Sequence, residues 1–117
     1  MDKRKFPRAN YKCLLRVFQS GRRETIETHT ENIGAGGICV VVKNIFELFE
    51  GVELEVFLRE DENPISCRGK VVWVVKQHTV DKKKEPMYDI GIEFMDISEE
   101  DRKCISGLVQ NILTRST

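Results

Sequence analysis

Apolar and polar side chains alternate at a spacing of two residues through most of this chain, and this alternation limits the fold more than any other feature of the sequence. Four segments show the pattern most clearly. Their predicted inward-facing residues are Tyr11, Cys13, Leu15 and Val17; Val52, Leu54, Val56 and Leu58; Ile65, Cys67, Gly69, Val71, Trp73 and Val75; and Tyr88, Ile90, Ile92 and Phe94. A period of two is typical of strands with one buried face, so the chain is predicted to be mainly β.

Two further strands complete the predicted sheet. One is polar and covers about residues 23–30, and the other is short and apolar and covers residues 37–42. Turn-forming residues separate the strands, and the charged stretch 78–86 is predicted to be an exposed hairpin loop. Six strands in series with short connections favour an antiparallel β-barrel over a parallel α/β fold.

A single α-helix is predicted over residues 98–113. Ser98 is a favourable N-cap residue, and three acidic residues follow it in the first turn. An apolar stripe with the spacing of one helix face comes next: Ile105, Leu108, Val109 and Ile112. We therefore expect residues 1–117 to form one domain, with a barrel over residues 11–95 and a helix that covers it.

Hydropathy gives no reason to expect membrane insertion. The longest uncharged apolar runs, such as residues 71–75, are five residues long, whereas a membrane-spanning helix needs roughly 20 apolar residues. No apolar segment follows the charged N-terminus, so no signal peptide is predicted. These features predict a cytoplasmic protein.

The four cysteines are widely spaced and include no Cys-x-x-Cys pair. Without a secretion signal, reduced thiols are expected. A zinc site requires closer ligand spacing, and neither His29 nor His78 lies next to a cysteine. The sequence therefore predicts neither a metal nor a cofactor.

Charge is distributed unevenly along the chain. Residues 1–23 carry eight basic side chains and one acidic one, whereas the whole chain has no net charge. A basic stretch on a neutral protein suggests a local anionic partner. A solvated N-terminal tail would explain the same charges.

Two local motifs stand out. Arg4 and Arg8 are spaced four residues apart in a segment that Pro7 keeps out of regular helix, and guanidinium groups match phosphate oxygens and the edge of guanine. The glycine-rich segment 32–37 lies between two predicted strands, where glycine permits unusual backbone conformations and close approach of a ligand. Taken separately, a solvated tail and an ordinary turn explain each motif equally well.

Together, and in this order, the two motifs resemble the PilZ family, whose hallmark is Arg-x-x-x-Arg followed some 20–30 residues later by Asp/Asn-x-Ser-x-x-Gly. The second motif falls on Asn32, Gly34 and Gly37. Segments 69–73 and 90–94 look like later strands of the family, and the helix after Ser98 has its counterpart there. The resemblance implies a PilZ-type six-stranded antiparallel β-barrel with a C-terminal α-helix, as a stand-alone single-domain member.

The resemblance also implies a function in bacterial second-messenger signalling, which in this family concerns motility and biofilm formation. Residues 1–10 would be a flexible segment that closes over bound cyclic di-GMP (c-di-GMP) and creates a surface for an unidentified protein partner. Arg4 and Arg8 would be the main ligand contacts, with Asn32, Gly34 and Gly37 from the second motif. Possible secondary contacts are Lys3, Lys5 and Gly36.

One position departs from the family pattern. Gly34 stands where the family has serine, and one missing hydrogen bond weakens binding by about 0.5–1.5 kcal/mol. In some family members an extra arginine before the first motif accompanies a stacked ligand dimer. That position is Lys3 here, which favours a single ligand molecule.

Three alternative functions were weighed. A PilZ protein that has lost the ligand could act only as an interaction subunit of pilus or motility machinery, and Gly34 is the residue that favours this reading. An enzyme is not expected, because no nucleophile–base pair is visible and Asp89 and Glu93 are predicted to face solvent. No nucleic-acid partner is expected either, because aromatic stacking residues are not interleaved with the basic segment.

Overall fold

The computed structural model describes residues 7–21, 25–59, 63–78, 81 and 83–115. These residues form seven strands and one helix. In chain order the elements are β1 (Arg8–Asn10), β2 (Leu14–Gln19), β3 (Thr25–Gly34), β4 (Gly37–Val42), β5 (Gly51–Phe57), β6 (Ile65–Lys76), β7 (Tyr88–Phe94) and α1 (Glu99–Arg115).

Strands β2 to β7 form a closed antiparallel barrel. The hydrogen-bonded order is β3, β2, β5, β6, β7 and β4, and the pairing of β4 with β3 closes the ring. Closure leaves none of these six strands as a free edge, which removes the principal risk of edge-to-edge aggregation. The predicted six-stranded barrel with a C-terminal helix is confirmed.

The extra strand, β1, differs from the expectation of a flexible segment over residues 1–10. It pairs with the far end of β3, residues Asn32–Gly34, whereas β2 pairs with Thr25–His29 on the same edge. The sequence predicted that this polar strand ends at Thr30, but β3 continues to Gly34. The additional length of β3 supplies the backbone hydrogen-bonding groups with which residues 8–10 pair.

Apolar alternation predicts most of the barrel interior correctly. Leu15, Val17, Leu54, Val56, Val71, Ile90 and Ile92 are at most 1% exposed. Trp73 and Val75 are the exceptions: Trp73 lies opposite Gly91 and is not part of the core, and Val75 is 53% exposed, while Val74 between them packs against the core. A register shift between Val71 and Trp73 in the pairing of β6 with β7 reverses the two faces of β6, as one extra residue in a strand must.

The helix begins as predicted. The Ser98 hydroxyl oxygen accepts a hydrogen bond from the Asp101 backbone N–H at 3.1 Å, which caps the first turn. Ile105 and Val109 are buried, and the helix packs against β1 and β3. The helix therefore supports the two strands that carry the sequence motifs.

Three of the four cysteines, Cys13, Cys39 and Cys67, are buried, whereas Cys104 is exposed, and all four are free thiols. Burial, together with the nearby carboxylates of Asp96 and Asp101, raises the pKa of the Cys67 thiol to about 11. Among the described residues, no helix has the length and apolar character needed to cross a membrane.

Replacing Gly107 with alanine is expected to stabilise the protein. The site lies inside α1, and a Cβ there meets no heavy atom within 4 Å. Alanine in a helix interior is favoured over glycine by about 0.5–1 kcal/mol, so thermal unfolding should shift upward by roughly 2–6 °C. Gly21→Ala is the matched contrast: its site is equally open, but its φ of +78° is unfavourable for alanine, so that variant should melt earlier.

Candidate functional site

Pairing of β1 with β3 brings the described residues of the two motifs together. Arg8 lies opposite Gly34 and Asn10 lies opposite Asn32. Gly34 in turn pairs with Gly37 across the two-residue connection of β3 to β4. Arg4, Lys3 and Lys5, the other predicted ligand contacts, lie outside the described residues.

A direct side-chain contact joins the two motifs. The Arg8 guanidinium donates a hydrogen bond from Nη1 to the Asn32 Oδ1 atom at 3.3 Å. Both side chains lie in a partly buried position on the outer surface. A planar cation and an amide are thus held side by side, an arrangement suited to a phosphate oxygen and the edge of a base.

Gly37 is required for space and not for an unusual backbone conformation. A Cβ at this position would collide with the Ile92 carbonyl oxygen and lie 3.2 Å from the Glu93 Cα. Neither Gly34 nor Gly37 has a φ in the left-handed region. The unusual backbone conformations that glycine permits in this segment are therefore not used at Gly34 or Gly37, and close approach of neighbouring strands explains both residues.

Gly34 is covered by the strand that carries Arg8. A Cβ there would lie 2.5 Å from the Pro7 carbonyl oxygen and 2.9 Å from the Arg8 Cγ. A serine at this position, as in the family pattern, therefore requires β1 to move. The departure from the pattern removes a hydroxyl and also allows β1 to pair closely with β3.

The loop between β3 and β4 is attached to β7, the strand that pairs with β4 on its other edge. The Gly36 carbonyl oxygen accepts a hydrogen bond from the Phe94 N–H at 3.0 Å, at the end of β7. Gly36, predicted as a secondary contact, thus has its carbonyl engaged with the barrel. The loop is held between β1 on one side and β7 on the other.

Thr30 is a structural residue of this site that sequence analysis missed. Its side chain is fully buried. The hydroxyl donates to the Tyr11 carbonyl oxygen at 2.6 Å and accepts from the Cys13 N–H at 3.0 Å. These two backbone groups lie where the chain passes from β1 to β2, so one hydroxyl fixes the junction. A threonine that ends a predicted polar strand gives no sequence signal for this role.

Thr30→Val is expected to loosen β1. Valine keeps the shape but leaves two buried backbone groups without their partner, at about 1–3 kcal/mol. Amide exchange at residues 8–10 should accelerate, and the melting temperature should fall. Thr30→Ser retains the hydroxyl and should behave nearly as the wild type. Unchanged exchange at residues 8–10 in Thr30→Val would show that the hydroxyl does not hold the junction.

A shallow depression of about 400 Å³ borders the motif residues on the outer surface. Its lining consists of Asn10, Tyr11, Lys12, Glu31 and Asn32. A larger depression of about 660 Å³ lies elsewhere and includes none of the predicted ligand contacts. The motif geometry identifies the candidate site better than size does, because the smaller depression is lined by Asn32, the residue that accepts a hydrogen bond from Arg8. No three potential metal ligands cluster anywhere in the described part of the chain.

Solved structures with a similar fold are numerous, and three illustrate the range. MotI/DgrA, the inhibitor of motility of Bacillus subtilis, is 24% identical with a TM-score of 0.73, and the alignment covers 99% of this chain and 52% of MotI. The PilZ domain of YcgR from Escherichia coli, solved with c-di-GMP, is 10% identical with a TM-score of 0.75 over 98% of this chain and 95% of the YcgR domain. MrkH of K. pneumonia is 18% identical with a TM-score of 0.77 over 99% of this chain and 51% of MrkH.

The chain thus spans about half the length of MotI and MrkH. No curated protein matches the sequence. At these identities the structural similarities establish the fold. The family follows from the sequence, because the model of the PilZ domain matches residues 2–111, nearly the whole chain. This chain belongs to the PilZ domain family.

Proposed function

We propose that this protein is a c-di-GMP receptor that binds the ligand at the Arg8–Asn32 surface and signals to a protein partner. The observation that carries the proposal is the hydrogen bond between Arg8 and Asn32, which unites the two family motifs on one outer surface. Family membership supports it. The YcgR domain and MrkH, which share the fold, have both been solved with c-di-GMP.

The chemistry of the site suits a dianionic dinucleotide. The guanidinium of Arg8 provides a planar set of N–H donors for a phosphate or for the O6/N7 edge of guanine. Charge-assisted hydrogen bonds of this kind are about twice as strong as neutral ones. The Asn32 amide offers both donors and an acceptor to a second base edge. Arg4, four residues before Arg8, is proposed as the second cationic contact.

Pairing of β1 with β3 affects the expected binding energy. Residues 8–10 pair with β3 along its last three residues. Ordering a segment on binding reduces affinity by about 1–2 kcal/mol per residue for the backbone. In the proposed mechanism residues 8–10 do not lose this backbone entropy on binding. The binding free energy saved in this way partly offsets the hydrogen bond that is missing because Gly34 has no hydroxyl.

Gly34→Ser and Gly34→Ala form a matched pair that isolates this hydroxyl. Both variants place a Cβ against Pro7 and Arg8, so both should accelerate amide exchange at residues 8–10. Only serine adds a hydrogen-bonding group, worth about 0.5–1.5 kcal/mol. Gly34→Ser is therefore expected to bind c-di-GMP roughly 2- to 12-fold more tightly than Gly34→Ala. Equal affinities in a calorimetric titration would mean that the ligand does not contact this position.

Isothermal titration of the purified protein with c-di-GMP tests the proposal. GTP and cyclic di-AMP are the comparison nucleotides. GTP carries guanine and phosphates but is not a cyclic dinucleotide, whereas cyclic di-AMP is a cyclic dinucleotide that carries adenine instead of guanine. Saturable binding that is selective for c-di-GMP supports the receptor function. Absence of saturation at millimolar ligand would reject it and favour the second candidate, an interaction subunit that does not bind the ligand. The specific observation in favour of that candidate is the covering of Gly34 by β1.

Among the proteins with the same fold, MrkH is described as a c-di-GMP-dependent transcription regulatory factor. We propose a protein and not a nucleic acid as the partner of this chain, and we assign it no catalytic step. A short DNA duplex in the same titration series provides the comparison. Salt-sensitive binding of the duplex would contradict the choice of partner.

A further inference from the structure

A groove away from the motif residues has the properties of a docking surface. It has a volume of about 660 Å³ and lies between the ends of β2 and β5, the middle of β6 and the residue after β7. We name it the Phe49 groove, after the aromatic residue on its rim. The residues that matter below are Phe18, Gln19, Phe49, Lys70 and Met95, all of which line it.

Large apolar side chains are exposed in and beside the Phe49 groove. Phe49 is 62% exposed and Met95 is 51% exposed, and both line it. Ile45 and Leu48, from the same loop as Phe49, are 67% and 54% exposed, while Phe46 anchors the loop in the core. These four are the majority of the six large exposed apolar residues in the described part of the chain. Clustered exposed apolar residues mark interaction sites.

The chain holds Phe49 outward in an unfavourable backbone conformation. Phe49 has a φ of 69°, the left-handed region that non-glycine residues avoid at about 1–2 kcal/mol. Its N–H donates to the Val71 carbonyl oxygen at 2.6 Å, and the Val71 N–H donates to the Glu50 carbonyl oxygen at 2.9 Å. Two backbone hydrogen bonds to β6 thus fix the conformation. Backbone strain of this kind is found preferentially at functional sites.

The wall of the Phe49 groove contains an unused hydrogen-bond acceptor. Gln19 is only 7% exposed, and its Nε2 donates to the Ile45 carbonyl oxygen at 3.1 Å. Its Oε1 atom is buried and accepts no hydrogen bond from the described residues. A buried acceptor without a donor is unfavourable by about 1–3 kcal/mol. A donor from a bound partner would satisfy it.

Charges on the rim indicate what the partner should carry. The Lys70 ammonium lies 5.9 Å from the centre of the Phe49 ring, and no carboxylate in the described ranges forms an ion pair with it. Arg68, in contrast, is paired with Asp96 at 2.8 Å, and its hydrogen bonds hold the pKa of the Asp96 carboxyl below its usual value. Lys70 is therefore the basic side chain at this surface that is available to form an ion pair with an acidic group of a partner.

We propose that the Phe49 groove docks a protein partner through a segment that carries a large apolar side chain next to an acidic one. The apolar side chain would insert between Phe18, Phe49 and Met95. The Gln19 side chain would turn its Oε1 atom towards the groove and accept an N–H of the segment, and the carboxylate would pair with Lys70. The inference rests on the proposed function in one respect, since this partner is the one to which a c-di-GMP receptor would signal.

A backbone hydrogen bond connects the candidate ligand site to the strand end beside the Phe49 groove. The Gly36 carbonyl oxygen accepts from the Phe94 N–H, and the next residue, Met95, donates its N–H to the Arg68 carbonyl oxygen at 2.9 Å. One hydrogen bond and one peptide bond thus separate the loop that carries the second motif from Met95, whose side chain lines the groove. A ligand that shifts this loop would shift Met95 as well.

Selection of a displayed library of random 12-residue peptides on the immobilised protein, without nucleotide, tests the proposal. Selected peptides are resynthesised with a fluorophore and titrated by anisotropy against wild type and three variants. Phe49→Asn removes the ring while keeping a residue that tolerates the left-handed conformation, so its fold should be retained. Lys70→Glu reverses the cation. Leu113→Ser, on α1 outside the groove, is the matched apolar control.

The expected result is a set of peptides with an aromatic or large aliphatic residue beside Asp or Glu. Phe49→Asn should weaken their binding at least tenfold and Lys70→Glu several-fold, with Leu113→Ser unchanged. Recovery of no such peptides, or equal binding to Phe49→Asn, would overturn the proposal. Analytical sedimentation could also overturn it. If the wild type is a dimer and the Phe49→Asn substitution dissociates it, a second copy of the chain occupies the groove. Because the assay contains no nucleotide, its outcome does not depend on whether the protein binds c-di-GMP.

Discussion

Arg8→Ala is expected to weaken c-di-GMP binding by roughly 10- to 150-fold, since a hydrogen bond to a charged group contributes about 1.5–3 kcal/mol. Arg8 supplies the cation of the described site, and its contact with Asn32 orients it on the outer surface. Removing the side chain leaves the ligand phosphate or guanine edge without its charged donor. Calorimetric titration of the variant gives the affinity directly.

Two further variants define the cause of this loss. Arg16→Ala is the matched control, because Arg16 belongs to the same basic stretch but lies on β2, where it forms ion pairs with Glu27 and Glu55. Its affinity should stay within about twofold of wild type, since the phosphate contact is local. Arg8→Lys keeps the charge but not the planar set of donors, and its affinity should be intermediate. Equal losses in Arg8→Ala and Arg16→Ala would indicate general electrostatic attraction instead of a site.

Gly37→Ala is expected to have the largest effect on stability among the variants considered. Its Cβ would collide with the Ile92 carbonyl oxygen and crowd the Glu93 Cα. These atoms are backbone of β7, which is itself paired with both β4 and β6, so they cannot rotate away as a side chain would. We expect a loss near the upper end of the 1–3 kcal/mol typical of overpacking. The melting temperature should fall by roughly 10–15 °C.

The control for Gly37→Ala is Gly51→Ala at the start of β5. A Cβ there meets no heavy atom within 4 Å, so the melting temperature should stay the same or rise. Differential scanning calorimetry of both variants makes the comparison. A Gly37→Ala variant as stable as wild type would show that β4 and β7 can separate, and the spatial argument for this glycine would be wrong.

The barrel could be predicted because the sequence pattern of each strand is local. Alternation in β2, β5 and β7 assigns each residue to a face, and burial drives the inward residues to the core whichever strand is the neighbour. Ser98 and the stripe through Ile105 and Val109 predict the helix in the same way. The prediction failed at Trp73 and Val75, because a register shift within β6 depends on how its partner strand twists.

The details of the site depend on contacts that are distant in the sequence. Thr30 bridges Tyr11 and Cys13, which precede it by 19 and 17 residues. Gly34 is confined by Pro7 and Arg8, and Gly37 by Ile92. No local pattern encodes such pairings, since any small residue before a turn would give the same signal. The motif spacing identified which residues belong together, but their physical roles required the fold.

A titration of the isotopically labelled protein with c-di-GMP, followed by amide ¹H–¹⁵N correlation spectra, tests the central claim most directly. It reports binding and location in one measurement. We expect saturable shifts that concentrate on residues 8–10 and on the segment from Asn32 to Gly37. Spectra that do not change at millimolar ligand, or changes that concentrate on β5 and β6, which lie across the barrel from β3 and β4, would contradict the assignment of this surface as the ligand site.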